Sequence, residues 1–429
     1  MSQQSMKMPM HADSLSGSTA TKKPAQVWMY QLVVHHYRLP VWDRVVELGG
    51  DDYRLCVRGP LKDEQTAPAS SDKPVNRRDL VAESAVEVDG SRRREYMRNT
   101  RSHYFKLAGI QFAKWPAAVE DITRDRPDLV IVNGNIRNLS SWRLPLLCRK
   151  LGIGIADWSK VHAHSYSTTP PFLTRPIKRR FFRRFDVHIV YGQSSRDELI
   201  RLGVSPEFIH VAQNTLDTRD IFASPEKIAS RALELKKLAG VADRRTIVCV
   251  GSMVSFKRQL DLVDAWPKLR AGHDDLVLVL VGGGPMLDEV RQRAGKVDSE
   301  RIVVTGRVGE GDDHAWLAAS DVAVVPGGAG LAINASLALE KPTVIADEFG
   351  SDAEIVRHDV TGWRYPTGDL EEMTRRIHVA LAGGEHVRKV CQAGSRLMRD
   401  KVTLENMARA IDAAIRQALA INRERNRRA

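Results

Sequence analysis

A chain of 429 residues, 43% hydrophobic and 28% charged, is too long for one ordinary core and fits two globular domains of roughly 200 residues each. No apolar run approaches the roughly 20 residues of a membrane-spanning helix, and four scattered cysteines, with neither a CxxC pair nor a histidine cluster at metal-ligand spacing, point to free thiols in a reducing cytoplasm. A net charge of +12 calls for an anionic partner: nucleic acid, a phosphorylated small molecule or an acidic membrane surface.

In chain order, residues 1–25 are rich in Ser, Thr, Met and Lys without a continuous apolar stretch, which predicts a disordered tail rather than a secretory signal. From Gln26 onward, short Val- and Ile-rich runs alternate with longer amphipathic segments, the pattern of βαβ units around a buried parallel sheet. VWMYQLVVHH, YRLCVRG, IQFAKW, DLVIVNGN, GIGIADW, VHIVYG and FIHVAQN read as the strands of a first domain over 26–220. RTIVCVGS, LVLVLVGGG, RIVVTGRV, DVAVVPGG, PTVIADE and GWRYP supply a second domain over 244–400. The charged stretch 221–243 lacks a strand signal and is predicted to link them, and 401–429 has helical spacing with a basic end expected to fray. The expected fold class is α/β, two doubly wound domains facing across a cleft. Ligands of such sheets bind beyond the carboxyl ends of the strands, so the residues just after each strand are the candidates.

Three strand ends stand out. In VPGGAGLAIN, Gly327, Gly328 and Gly330 free the backbone to bring N–H groups near an anion, and the following helix points its positive end the same way. In VGSMVSFKR, Lys257 and Arg258 follow Gly251 and Ser252 and open an amphipathic helix, placed to neutralise a diphosphate whose charge grows as a bond to it breaks. A plain glycine turn and a solvated first-turn lysine are the alternative readings of each motif taken alone. Gly282 to Gly284 in LVGGGPMLDEV do not form GxGxxG and no acidic residue follows at ribose distance, which disfavours a dinucleotide dehydrogenase.

Together VGS…K, LVLVLVGGGP, VVTGRV, ASDVAVVPG…GL, KPTVIADE and AEIV…TGWRYPTGD resemble the donor-binding half of a GT-B-fold, retaining glycosyltransferase of family 4, over most of 246–381. The first half is similar less sharply, through HHYRLPVWDRV, DLVIVNGN and VYGQSSRDELIRLGVSPEFIHVAQNTLDT. The resemblance implies transfer of a sugar from a nucleoside diphosphate donor on the second domain to a saccharide or lipid-linked acceptor on the first. It implies that Lys257 and Arg258 meet the donor phosphates with Gly251 and Ser252 beside them, and that Gly327, Gly328, Ala329, Gly330 and Leu331 hold the diphosphate by backbone. Arg307 and Val308 are implied near the base, and Glu354 at the family's Pro-Glu position facing the cleft.

The chain departs from that pattern. Gly327 and Ala335 stand at the two glutamates of the family's E-x7-E motif, and Ser252 where an arginine is common; a PGxxGL turn is similar to a polysaccharide-assembly subgroup. The usual first-domain histidine is replaced by Asn133 and Asn135. His35, His36, His162 and His164 are the available substitutes, with His162 and His36 favoured to meet the sugar or acceptor hydroxyl, against the alternative of ordinary loop histidines. No cofactor and no metal are expected, since lysine and helix dipoles do a cation's charge work.

Arg175 to Arg184, RPIKRRFFRR, places Ile177, Phe181 and Phe185 on one helical stripe. This reads as a peripheral contact with an anionic membrane on the cytoplasmic side, or as a domain helix whose phenylalanines pack inward. A second basic cluster, SRRREYMRNTRSHYFK, adds to the membrane reading. No RRM signature, zinc-finger spacing or basic zipper is present, so nucleic acid is not expected as a partner. A catalytically silent GT-B-like partner or regulatory protein is the alternative function, on the missing glutamates.

Overall fold

The computed structural model describes residues 23–32, 34, 36–59, 95–100, 103–107, 110–161, 171–328, 330–347 and 351–429. The expected tail 1–25 lies almost wholly outside them. Seven parallel strands, β1 (Ala25–Tyr30), β2 (Tyr53–Gly59), β3 (Met97–Asn99), β6 (Leu129–Asn133), β7 (Gly154–Ser159), β8 (Val187–Val190) and β9 (Ile209–Val211), form the first sheet in the order 3-2-1-6-7-8-9. Six parallel strands, β10 (Arg245–Val250), β11 (Leu276–Val281), β12 (Ile302–Gly306), β13 (Val322–Val325), β14 (Thr343–Asp347) and β15 (Trp363–Pro366), form the second in the order 12-11-10-13-14-15. Both are doubly wound, with the order reversing beside the first strand of each sheet, where crevices form at β1/β6 and β10/β13.

Strand burial on both faces explains the uninterrupted apolar runs. All six residues of LVLVLV in β11 are buried, alternately serving a core with Trp266, Trp363 and Tyr365 on one face and a core with Leu235 and Trp316 on the other. IQFAKW yields β5 (Ile110–Lys114), but it pairs antiparallel with β4 (His103–Leu107) in a two-stranded hairpin rather than joining the main sheet. Apolar alternation predicts a strand without naming its partner, and the basic residues around β3 and β4 had masked both.

The stretch 221–243 is not an extended linker. The helix Pro225–Leu238 within it buries Leu235 on the second sheet and ties to the helix Asp312–Ala318 through Arg231, whose Nε lies 2.8 Å from Asp312 Oδ1. The crossing between domains is therefore shorter, about Ala212 to Thr218. The chain crosses back before the helix Leu404–Arg428, whose Met407, Ile411, Ile415 and Leu419 enter the first domain's core against Val27, Met29 and Trp158. Its basic end does not fray: Arg425 Nη1 donates to Asp186 Oδ1 at 2.8 Å, and Asn422 Nδ2 to the Gly152 carbonyl at 2.9 Å.

Phe181 and Phe182 of the basic helix Pro171–Phe182, and Phe185 in the turn after it, are core residues. Phe181, Phe182 and Phe185 are 0%, 3% and 6% exposed and pack with Trp142 and His188. These phenylalanines follow the inward-packing alternative, while Arg175, Arg179, Arg180, Arg183 and Ile177 remain exposed.

Candidate active site

The second-sheet crevice is built by close backbone approach. Gly251 N–H donates to Val281 O, Met253 N–H to Gly283 O and Gly282 N–H to Gly306 O, at 2.8–3.0 Å, which laces the ends of β10, β11 and β12 into one floor. A Cβ on Gly282 would lie 2.0 Å from Gly251 O and one on Gly284 2.5 Å from Met253 O, and both residues have positive φ, so only glycine fits. Gly251 has open space where its Cβ would be, and Ser252 is exposed.

The glycine turn after β13 sits on the 255–257 turn after β10. A Cβ on Gly327 would meet Phe256 O at 2.5 Å, one on Gly328 the Phe256 ring at 2.2 Å, and one on Gly330 only Lys257 Nζ at 2.9 Å. Lys257 Nζ donates to Gly328 O. Two motifs 71 residues apart in sequence thus meet at the switch point, with an ammonium group laid along a glycine backbone. Arg258, in the left-handed region at φ 56°, turns its Nε to Asp261 Oδ2 at 2.7 Å while its Nη2 reaches Gly368. It opens the helix Gln259–Arg270 with its charge shared by Asp261.

Arg307, just past β12, is exposed and lies against Gly283; Val308 is partly buried on the core side with Trp316. Leu331 caps the helix Ala332–Ala338 and packs on the core that includes Ile333 and Ile345. Ala335, at the second glutamate position, is 1% exposed in that core. Ala329 and His162 lie outside the described residues, as do His35 and His164; His36 begins a 3₁₀ turn, Arg38 ending it, beyond the end of β1.

Glu354 does not stand free in the cleft. Its Oε2 accepts from Gln193 N–H and its Oε1 from Ser194 N–H, each at 2.7 Å, at the start of the first-domain helix Gln193–Arg201.

Sequence reasoning missed a buried network at the crossing. Arg38, 8% exposed, donates to Asn214 Oδ1 and, from Nη1, to Met407 Sδ at 3.3 Å, with the rings of Tyr191 and Trp158 within 6 Å. Asn334, on the helix after the glycine turn, donates from Nδ2 to Asn214 O at 3.3 Å. Thr215 Oγ1 donates to Val402 O at 2.9 Å and joins the two crossings. Asn214 sits just after β9, the one available signal. Cys148 and Cys249 are buried and their thiols pushed up to about 12, which leaves them structural.

Comparisons with known proteins agree with this geometry. Residues 244–382 match the family Glycosyl transferases group 1. Over 215 residues, 48% of this chain, the protein is 34% identical to the GDP-mannose-dependent alpha-(1-6)-phosphatidylinositol monomannoside mannosyltransferase of Mycobacterium tuberculosis; the match spans about half that relative's length, 54%. Among solved structures, HepE of Anabaena in complex with UDP and glucose covers 91% of this chain and 99% of its own at TM-score 0.62 and 15% identity. Sucrose-phosphate synthase from Thermosynechococcus elongatus covers 92% and 100% at TM-score 0.63 and 16% identity. At such identities the likeness to solved structures establishes the fold alone: the chain has the GT-B architecture, and its residues 244–382 are similar to the group 1 glycosyl transferases.

Proposed function

We propose that the protein is a retaining glycosyltransferase of family 4 that moves a sugar from a nucleoside diphosphate onto a lipid-linked saccharide in polysaccharide assembly. The observation that carries this reading is the Lys257 ammonium set on the Gly328 carbonyl at the β10/β13 crevice. A cation, a glycine-rich turn and a helix start brought to one switch-point crevice support a diphosphate site there. Arg258, Gly251, Ser252 and Arg307 complete the donor contacts, and the backbone of Gly327–Leu331 cradles the phosphates. The leaving phosphate accepts the acceptor proton on the face it departs from, so no carboxylate nucleophile is required. His162 and His36 serve the sugar and acceptor hydroxyls.

Lys257 supplies the charge a metal would otherwise provide, and transfer proceeds without one. The exposed arginines of Pro171–Phe182 hold the acceptor domain to the anionic inner face of the membrane by charge alone. The protein works from the cytoplasmic side; among the described residues no helix is long and apolar enough to cross a membrane. The mannosyltransferase relatives make GDP-mannose the first donor to assay.

Nucleotide release is measured from GDP-mannose, UDP-glucose and other nucleotide sugars, with and without a lipid-linked acceptor extract. Lys257→Ala is expected to lower acceptor-dependent release by a factor on the order of 100 or more, the scale of one lost charge-stabilising group. EDTA is expected to leave the rate unchanged. Binding without release from any donor supports the second reading, a silent GT-B protein, which the absent carboxylates at Gly327 and Ala335 favour.

A further inference from the structure

The helix Gln193–Arg201 begins with Gly192 at its N-cap, a residue with no side chain to satisfy the first N–H groups. The cap comes from the other domain. Glu354, on the short helix Ser351–Ile355, spans both Gln193 and Ser194 N–H groups with its two carboxylate oxygens at 2.7 Å. The approach depends on glycine: a Cβ on Gly192 would stand 2.8 Å from each carboxylate oxygen. Both partners sit beyond strand ends that face the cleft, Gly192 after β8 and Glu354 after β14, the neighbour of the strand that carries the glycine turn. Among the described residues the chain also crosses twice between the domains, at crossings tied by Thr215 to Val402, and Asn334 donates to the carbonyl of Asn214 in the first of them.

We propose that Glu354 is a positioning residue, a latch that docks the donor-side segment 351–355 on the amides of Gln193 and Ser194 and fixes the register in which the two domains close. The carboxylate meets two parallel N–H donors at the positive end of a helix, a geometry that tolerates little sliding. Releasing it widens the cleft and misplaces donor against acceptor without removing any group from the nucleotide site.

Three variants probe the contact from both sides. Glu354→Gln replaces one accepting oxygen with an amide donor that faces an N–H. Gly192→Ala leaves the charge intact and drives a methyl group into it. Gln193→Pro deletes one of the two N–H donors at the first helical position, where proline is well tolerated and the extended Gly192 before it is compatible, so that helix stays formed. Small-angle scattering with saturating UDP or GDP is expected to show a larger radius of gyration for all three variants than for the parent chain. The turnover arm rests on the glycosyltransferase reading: kcat/KM for transfer is expected to fall by roughly tenfold to a hundredfold, with nucleotide affinity unchanged. A parent-like radius and rate in Gln193→Pro and Glu354→Gln overturn the latch. Enlarged variants in a protein that consumes no nucleotide sugar retain the latch and overturn the functional reading instead.

Discussion

Gly327 stands where the resembled enzymes carry a glutamate, and its surroundings leave no room for one: its Cβ would lie 2.5 Å from Phe256 O and 2.8 Å from Arg258 Cγ. A glycine at this position and the close seating of the 255–257 turn require each other here. Gly327→Glu, which restores the family's residue, is therefore expected to lower both the melting temperature and nucleotide affinity, the latter by about tenfold, because the turn must lift off Lys257. Isothermal titration with GDP and UDP measures it, and tighter binding in the variant contradicts this packing account. At this scale the glycines and Lys257 were legible as strand-end motifs. That Arg258 shares its charge with Asp261, and that Val308 and Ala335 face cores, were not, because a position after a strand fixes which end of the sheet a residue occupies and not which way its side chain turns.

Among the elements, the terminal helix departs furthest from expectation. Periodicity predicted it, yet its apolar face, Met407 to Leu419, completes the first domain's core, each large side chain worth roughly 1.5–3 kcal/mol of burial. Its first turn is pinned by Glu405, whose carboxyl is held at about 2, below its ordinary 4.5, first by Arg44 at 2.7 Å and then by Arg409. A carboxylate depressed in the folded state stabilises fully above about pH 4.5, and that contribution is lost as pH falls through about 2. Glu405→Gln is thus expected to melt below the parent chain at pH 6, by a gap that narrows as pH falls toward 2. The effect is at most about 1 kcal/mol at this half-exposed site and shrinks in high salt. A gap undiminished toward pH 2 in thermal melts contradicts the assignment. Phe181, Phe182 and Phe185 make the same point: an apolar stripe suits a protein interior or a bilayer equally, and packing into the first domain's core beside Trp142 chose the interior.

Across the whole molecule, two sheets with the same winding are held by buried polar bonds at the crossings. Thr215 Oγ1 reaches Val402 O, Arg38 holds Asn214 and Met407, and Asn334 carries the connection to the helix behind the glycine turn. Thr215→Val keeps the shape and leaves the Val402 carbonyl without this donor, so urea unfolding is expected to read a loss of about 1–3 kcal/mol. No loss means the crossing is held by packing alone.

By itself the sequence determined the α/β class, the strand positions other than β3 and β4, and the glycine-rich strand ends with Lys257 beside them, because buried parallel strands demand continuous apolar runs and close backbone approach demands glycine. Tertiary structure alone decided which distant parts of the chain meet: Glu354 on Gln193 and Ser194, Arg38 on Asn214 and Met407, and the terminal helix in the first core. The hydrogen-bonded partners among these are separated by between 160 and 369 positions, a distance over which no local periodicity carries information.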